Sequence, residues 1–398
     1  MKGRILFVVV IIFLASCEKG ETDDTILKFF SKAYKDTGNS VAISKDEQGN
    51  DLYYYICGQF TDTLSNNAKL NAGVLKAGLD GNMIGSATIS GDTESSAAKI
   101  IVLDEGDIVC TGYVLDSASS KKDLFVWHLN PDLITEKLKI YESPDNQYGV
   151  DILETLEGFL VLATTDSQTE SNPLGKKDIL LVRIDSDLEP LSEIPAQGYD
   201  GDDEGIAVKA DRRGGFITVG TTDRSEPSSG QAGTNLIIIR LNSNGSTTEP
   251  RIIGGTANEA ASDFEVLSDG YLIAGTTGNP GTTQKGHIWK IPTDIYDAPE
   301  YENEIDIGQI PYSLRAMCRY KTNSFLLAGQ HGAGLSARML IFPIDVYGTP
   351  DEGLMKITGG TGTQIANDVA SGDSDNIITV GSSSYENNSM ICFLKFRF

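Results

Sequence analysis

Gly215-Phe216-Ile217-Thr218-Val219-Gly220-Thr221-Thr222 recurs in near-copies along the whole chain. It returns as Gly270-Tyr271-Leu272-Ile273-Ala274-Gly275-Thr276-Thr277 and as Asn376-Ile377-Ile378-Thr379-Val380-Gly381-Ser382-Ser383. Weaker copies end at Gly58, Gly112, Thr164 and Gly329, so the register marks number seven, at intervals of 54, 52, 56, 55, 54 and 52 residues. A period this regular over a whole chain is the mark of a radial or solenoidal repeat.

The fourth repeat shows the internal order best. Ile206-Ala207-Val208-Lys209 reads as a short strand, Asp211-Arg212-Arg213-Gly214 as a tight turn, and Gly215 to Thr221 as a second strand. After a loop, Leu236-Ile237-Ile238-Ile239-Arg240-Leu241 is continuous in apolar character, as a strand buried on both faces is. Asn242-Ser243-Asn244-Gly245 turns the chain, and Thr248 to Ile253 alternates loosely, like an outer, half-solvated strand. The expectation is four antiparallel strands per repeat. The seventh repeat ends the chain at its third strand, Met390 to Phe396, while Ile26 to Lys35 resembles the fourth-strand endings of other repeats. An N-terminal strand that completes the C-terminal blade closes a ring and hides two sheet edges. The fold class expected is therefore all-β: a seven-bladed β-propeller of four-stranded antiparallel blades over residues 26–398.

The repeats resemble bacterial secreted propellers, whose blades run from a Gly-Gly start through a polar link and a strand to Asp-Gly-Gly, a strand ending Gly-Thr, and an Asp-led strand. The resemblance implies the fold and leaves function open, because propellers host hydrolases, lyases, dehydrogenases and pure binding platforms. Repeat three departs from the pattern at Thr164, and repeat six at Asn323-Ser324.

Residues 1–16 have the form of a signal peptide: Lys2 and Arg4, then an apolar run from Ile5 to Leu14, too short for the roughly 20 residues of a membrane span. Leu14-Ala15-Ser16-Cys17 resembles the lipobox of bacterial lipoproteins. That resemblance implies cleavage before Cys17 and acylation of it, with palmitate-type chains anchoring the protein to the membrane. Residues 17–25 then form the lipidated cysteine and an acidic tether. Acidic residues behind such a cysteine also resemble a signal for the outer face of the outer membrane, so the expected location is the outer membrane, at the cell surface, with the periplasmic face as the alternative.

The formal charge is −24, from 56 acidic and 32 basic residues, and loss of Lys2 and Arg4 makes it −26. Such a surface repels phosphate backbones, which excludes nucleic acid as an expected partner and leaves the acyl anchor as the membrane contact. Cys57, Cys110, Cys318 and Cys392 all lie in apolar strands without metal or staple spacing, and are read as four buried thiols.

Innermost strands line a propeller's channel, and one channel mouth collects the fourth-to-first and second-to-third connections. Lys99, Asp151, Asp263, Arg315 and Asp368 fall at corresponding places near the starts of first strands, and form the candidate ligand site. Asp200, Asp202, Asp203 and Glu204 are the densest carboxylate cluster on that face; calcium favours carboxylates, although a dedicated calcium-loop spacing is missing. Beyond that calcium candidate, no cofactor is expected. Tyr113, Tyr148, Tyr199, Tyr312 and Tyr385 are candidate stacking residues for sugars. The three histidines, His128, His287 and His331, form no metal or nucleophile motif. Catalytic residues and a resident metal are not specified by the sequence. The expected role is a binding or scaffolding platform for a glycan or an envelope protein. The alternative is a carbohydrate-active hydrolase or lyase working through two channel-mouth acids.

Overall fold

The computed structural model describes residues 25–31, 35–62, 69–91, 93–166, 176–224, 233–243, 245–255, 257–386 and 388–398. The signal peptide, Cys17 and the tether up to residue 24 lie outside the described residues, as do stretches of three second-to-third-strand loops. Seven four-stranded antiparallel sheets form the blades of a ring. The innermost strands are Thr37–Lys45, Ser95–Val102, Gln147–Thr155, Asp203–Ala210, Glu259–Val266, Tyr312–Lys321 and Thr363–Ser371, in blades one to seven.

Each blade is too thin to bury its own faces, and the core accordingly lies between blades. Buried hydrophobic side chains gather in seven clusters, one at each seam. Trp127 packs between blades one and two, Trp289 between blades four and five, and Tyr54 with Phe393 between blades one and seven. Cys57 and Cys110 are free thiols in the same seam, and Cys392 is free and buried. Cys318 departs from the expectation of four buried thiols: it is free but only half-buried, because it lines the channel.

The ring closes as the sequence implies. Ile26–Phe30 pairs with Asn388–Phe396, placing Ile26 opposite Lys395 and Phe30 opposite Ile391. This supplies the fourth strand of blade seven. The closing strand ends at Phe30, sooner than the expected Lys35, since the inner strand of blade one begins at Thr37.

Every innermost strand carries a β-bulge at the same place. The extra residues are Asn39, Ala98, Val150, Ile206, Ser262, Arg315 and Asn367. A bulge bends a strand and re-aims the side chains beside it. Here it also explains the repeating glycine. The residue just before each bulge pairs with the register mark of the second strand, and the backbone there swings inward. A Cβ on Gly58, Gly112, Gly220, Gly275, Gly329 or Gly381 would sit 1.8–2.3 Å from a carbonyl oxygen of the inner strand. The register corrects one reading: the residue equivalent to these glycines in blade three is Ala163, opposite Gly149, and Thr164 is its neighbour.

Candidate functional site

The central channel encloses a cavity of about 430 Å³ lined by inner strands from all seven blades. All five candidates, Lys99, Asp151, Asp263, Arg315 and Asp368, line it. Four of them occupy the position just after the bulge, and Arg315 occupies the bulge itself.

The three aspartates share one geometry. Asp151 accepts from the N–H of Ile152 at 2.8 Å through Oδ1, and from the N–H of Val208 in blade four at 2.8 Å through Oδ2. Asp263 accepts from Phe264 at 2.7 Å and from Met317 in blade six at 3.1 Å. Asp368 accepts from Val369 at 2.9 Å and from Val41 in blade one at 3.0 Å. Each carboxylate thus satisfies the N–H freed by its own bulge with one oxygen and clips the next blade with the other. Seams three-to-four, five-to-six and seven-to-one are held this way. The sequence marked these residues as ligand groups, whereas in the structure each oxygen of each already accepts a backbone N–H.

Lys99 Nζ lies 3.3 Å from Asp368 Oδ2. Burial works against its charge, but Asp368, Asp151 and Asp263 outweigh it and raise its pKa. Burial pushes Asp151 up to about 6, against the opposing pull of Lys99. Two further charged residues line the cavity that sequence reading missed. Lys209 Nζ contacts Glu265 Oε1 at 2.8 Å and Asp263 Oδ1 at 3.5 Å, and Glu265 Oε2 also faces Arg319 at 3.8 Å. They stand two residues beyond the post-bulge position. Strand alternation carried inward from Ala207 and Asp263 would have found them, had the bulge been known.

The bulge residues divide the channel wall. Ser262, Arg315, Asn367 and Asn39 form a polar arc over blades five, six, seven and one, while Ala98, Val150 and Ile206 form an apolar arc over blades two to four. Within the polar arc, Ser262 donates to Leu314 O at 2.8 Å, Asn367 to Gly38 O at 2.8 Å and Asn39 to Ala97 O at 2.7 Å, each across a seam. Arg315 differs. Among the described residues its side chain makes one hydrogen bond, a 3.4 Å contact from Nη1 to Asn367 Oδ1.

The acidic cluster between blades three and four does not act as one group. Asp200 is exposed and lies 3.5 Å from Arg224, and Glu204 pairs with Lys177. Asp203 is buried and accepts from the N–H of Tyr199 at 2.5 Å. Glu259 and Gln364 accept in the same way from residues four positions earlier, which marks this as a link-capping place. Among the described residues no three His, Cys, Asp or Glu side chains are placed to hold a metal ion. The sequence missed Asp178, which is buried beside Asp203 without a hydrogen bond to its Oδ1. Burial, then Asp203 and Asp202, push Asp178 up to about 7.

Most of the tyrosines are occupied. Tyr312 is buried and donates to Ile305 O, Tyr113 and Tyr148 flank the Lys122 ammonium, and Tyr199 packs on Arg224 and donates to Pro250 O. Tyr385 is exposed. His128 bonds Asp107 at 2.8 Å and His287 stacks on Trp289, both on third strands away from the channel.

No known family model and no curated protein matches this sequence. Solved structures do resemble it. An α-L-arabinofuranosidase of Fusarium graminearum, determined with an iminosugar inhibitor, superposes with a TM-score of 0.51 at 10% identity, covering 95% of this chain and 98% of that one. Sqt1 of Chaetomium thermophilum superposes with a TM-score of 0.52 at 11% identity, covering 94% and 98%. At such identities the likeness speaks for the propeller fold alone.

Proposed function

We propose that this protein is a lipid-anchored binding propeller of the outer membrane, held by Cys17 and presenting its channel face to a glycan or an envelope protein. The observation that carries a binding role over catalysis is the commitment of every channel carboxylate. A glycosidase acid and its partner each need an oxygen free to meet the substrate or its water. Asp151, Asp263 and Asp368 instead give both oxygens to backbone N–H groups, and Glu265 is held between Lys209 and Arg319. The arabinofuranosidase likeness is one of fold and supplies no catalytic pair.

The test is a glycan-array and polysaccharide screen on a soluble form starting at Glu18, with and without calcium, with every hit assayed for shortened products. Retained, uncleaved hits support the platform. Cleavage that disappears in Asp151→Asn would replace it with the hydrolase reading. Anchoring is tested separately: Cys17→Ala should abolish palmitate labelling and release the protein from the membrane fraction.

A further inference from the structure

Among the described residues, seven charged side chains line the channel: Asp151, Asp263, Glu265 and Asp368 against Lys99, Lys209 and Arg315. Six of them are spoken for. The three aspartates each accept two backbone N–H groups, Lys99 sits on Asp368, and Lys209 and Glu265 pair with each other. Arg315 is the remainder. Among the described residues no carboxylate pairs with it, in a chain where acids outnumber bases by 56 to 32. Its side chain is exposed to the channel, yet the surrounding walls lower its pKa by desolvation. A guanidinium in such a place has four N–H donors unspent and a planar fork that matches a carboxylate.

The wall facing Arg315 has a different character. Blade six lies across a seven-membered ring from blades two and three, which contribute Ala98 and Val150. A ligand in the cavity therefore meets a charged fork on one side and aliphatic carbon on the other. The volume of about 430 Å³ lies within the usual size of small-molecule sites, roughly 300–1,000 Å³. Sugar rings present an apolar C–H face and polar edges, and a uronic acid adds one carboxylate.

We infer that the channel is a carboxylate-specific subsite in which Arg315 binds the acid group of a hexuronate unit while Ala98 and Val150 cover the ring's C–H face. This rests on the glycan-binding reading and names its substrate class. The protein's overall negative charge opposes approach of an anion only at long range, where salt screens it beyond about 8 Å at physiological ionic strength.

The experiment is calorimetric titration of detergent-solubilised full-length protein with oligogalacturonate and with the neutral galactose oligomer of equal length, at physiological salt. Wild-type protein is expected to prefer the acidic oligomer by roughly 10–100-fold, the range for a hydrogen-bonded charged group. Arg315→Gln should bring the two ligands level without changing the melting temperature, and Arg315→Lys should keep part of the preference. A preference for the acid that survives Arg315→Gln, or equal binding of both oligomers by the wild type, overturns the inference and leaves the platform reading standing. Binding of neither oligomer overturns the inference; if the glycan screen is silent as well, the glycan branch of the proposed function falls with it and the envelope-protein branch stands.

Discussion

The carboxylate of Asp368 accepts a 2.6 Å hydrogen bond from the hydroxyl of Ser40, 328 residues earlier in the chain. The same oxygen takes the N–H of Val41 and faces Lys99. One side chain therefore joins three blades at the point where the ring closes.

Removing that carboxylate leaves a buried N–H without a full acceptor and Lys99 without its nearest partner. Asp368→Asn is expected to destabilise the protein by about 3 kcal/mol, discounted for the partial exposure of Lys99, and Ser40→Ala by about 1 kcal/mol. Urea unfolding monitored by intrinsic fluorescence reads both. Equal, negligible effects would mean that the clip does not hold the seam.

Asp178 supplies a pH dependence whose sign is fixed by its burial. Its folded pKa, about 7, lies above the usual carboxyl value, so the folded state favours the protonated form. Its stabilising contribution is complete below about pH 4 and is lost as pH rises through 7. Asp178→Asn, which stays neutral, should raise the melting temperature at pH 8 and show no gain at pH 4. Asp151, held up to about 6, loses stability over the same direction of pH. A gain for Asp178→Asn that is greater at pH 4 than at pH 8 would refute the assignment.

The repeating glycine makes a steric prediction. A methyl group on Gly381 would lie 1.8 Å from Ile365 O, a backbone atom that cannot step aside without breaking the ladder. Gly381→Ala should cost about 3 kcal/mol or prevent folding. Ala163→Gly, at the one blade that already carries a methyl there, should cost only about 1 kcal/mol. Thermal melts of the two variants side by side decide it.

Deleting Ile26–Phe30 uncovers the edge of Asn388–Phe396 and removes Ile26 and Phe30 from the seam between blades one and seven. Loss of roughly 3 kcal/mol is expected from the apolar area alone. The bare edge should also drive concentration-dependent association, visible by light scattering. A monomeric variant of unchanged stability would show that closure is dispensable.

The sequence by itself determined the architecture, because a fold repeated seven times writes the same steric demand seven times. Gly220 and its equivalents recur since a bulged inner strand drives a carbonyl into the space of their Cβ, and the unmatched strand at Ile26 reports a ring that must close. Charge, too, was legible at Lys99, Asp151, Asp263, Arg315 and Asp368, which do meet in one channel. What those charges do was decided only by tertiary structure. The bulge shifts Arg315 one place from the aspartates, hides the inward run to Lys209 and Glu265, and moves the register mark of blade three from Thr164 to Ala163. Whether a carboxylate is a ligand or a clip depends on which N–H of the next blade lies opposite it. That distance spans more than fifty residues of sequence and is set by how neighbouring blades pack.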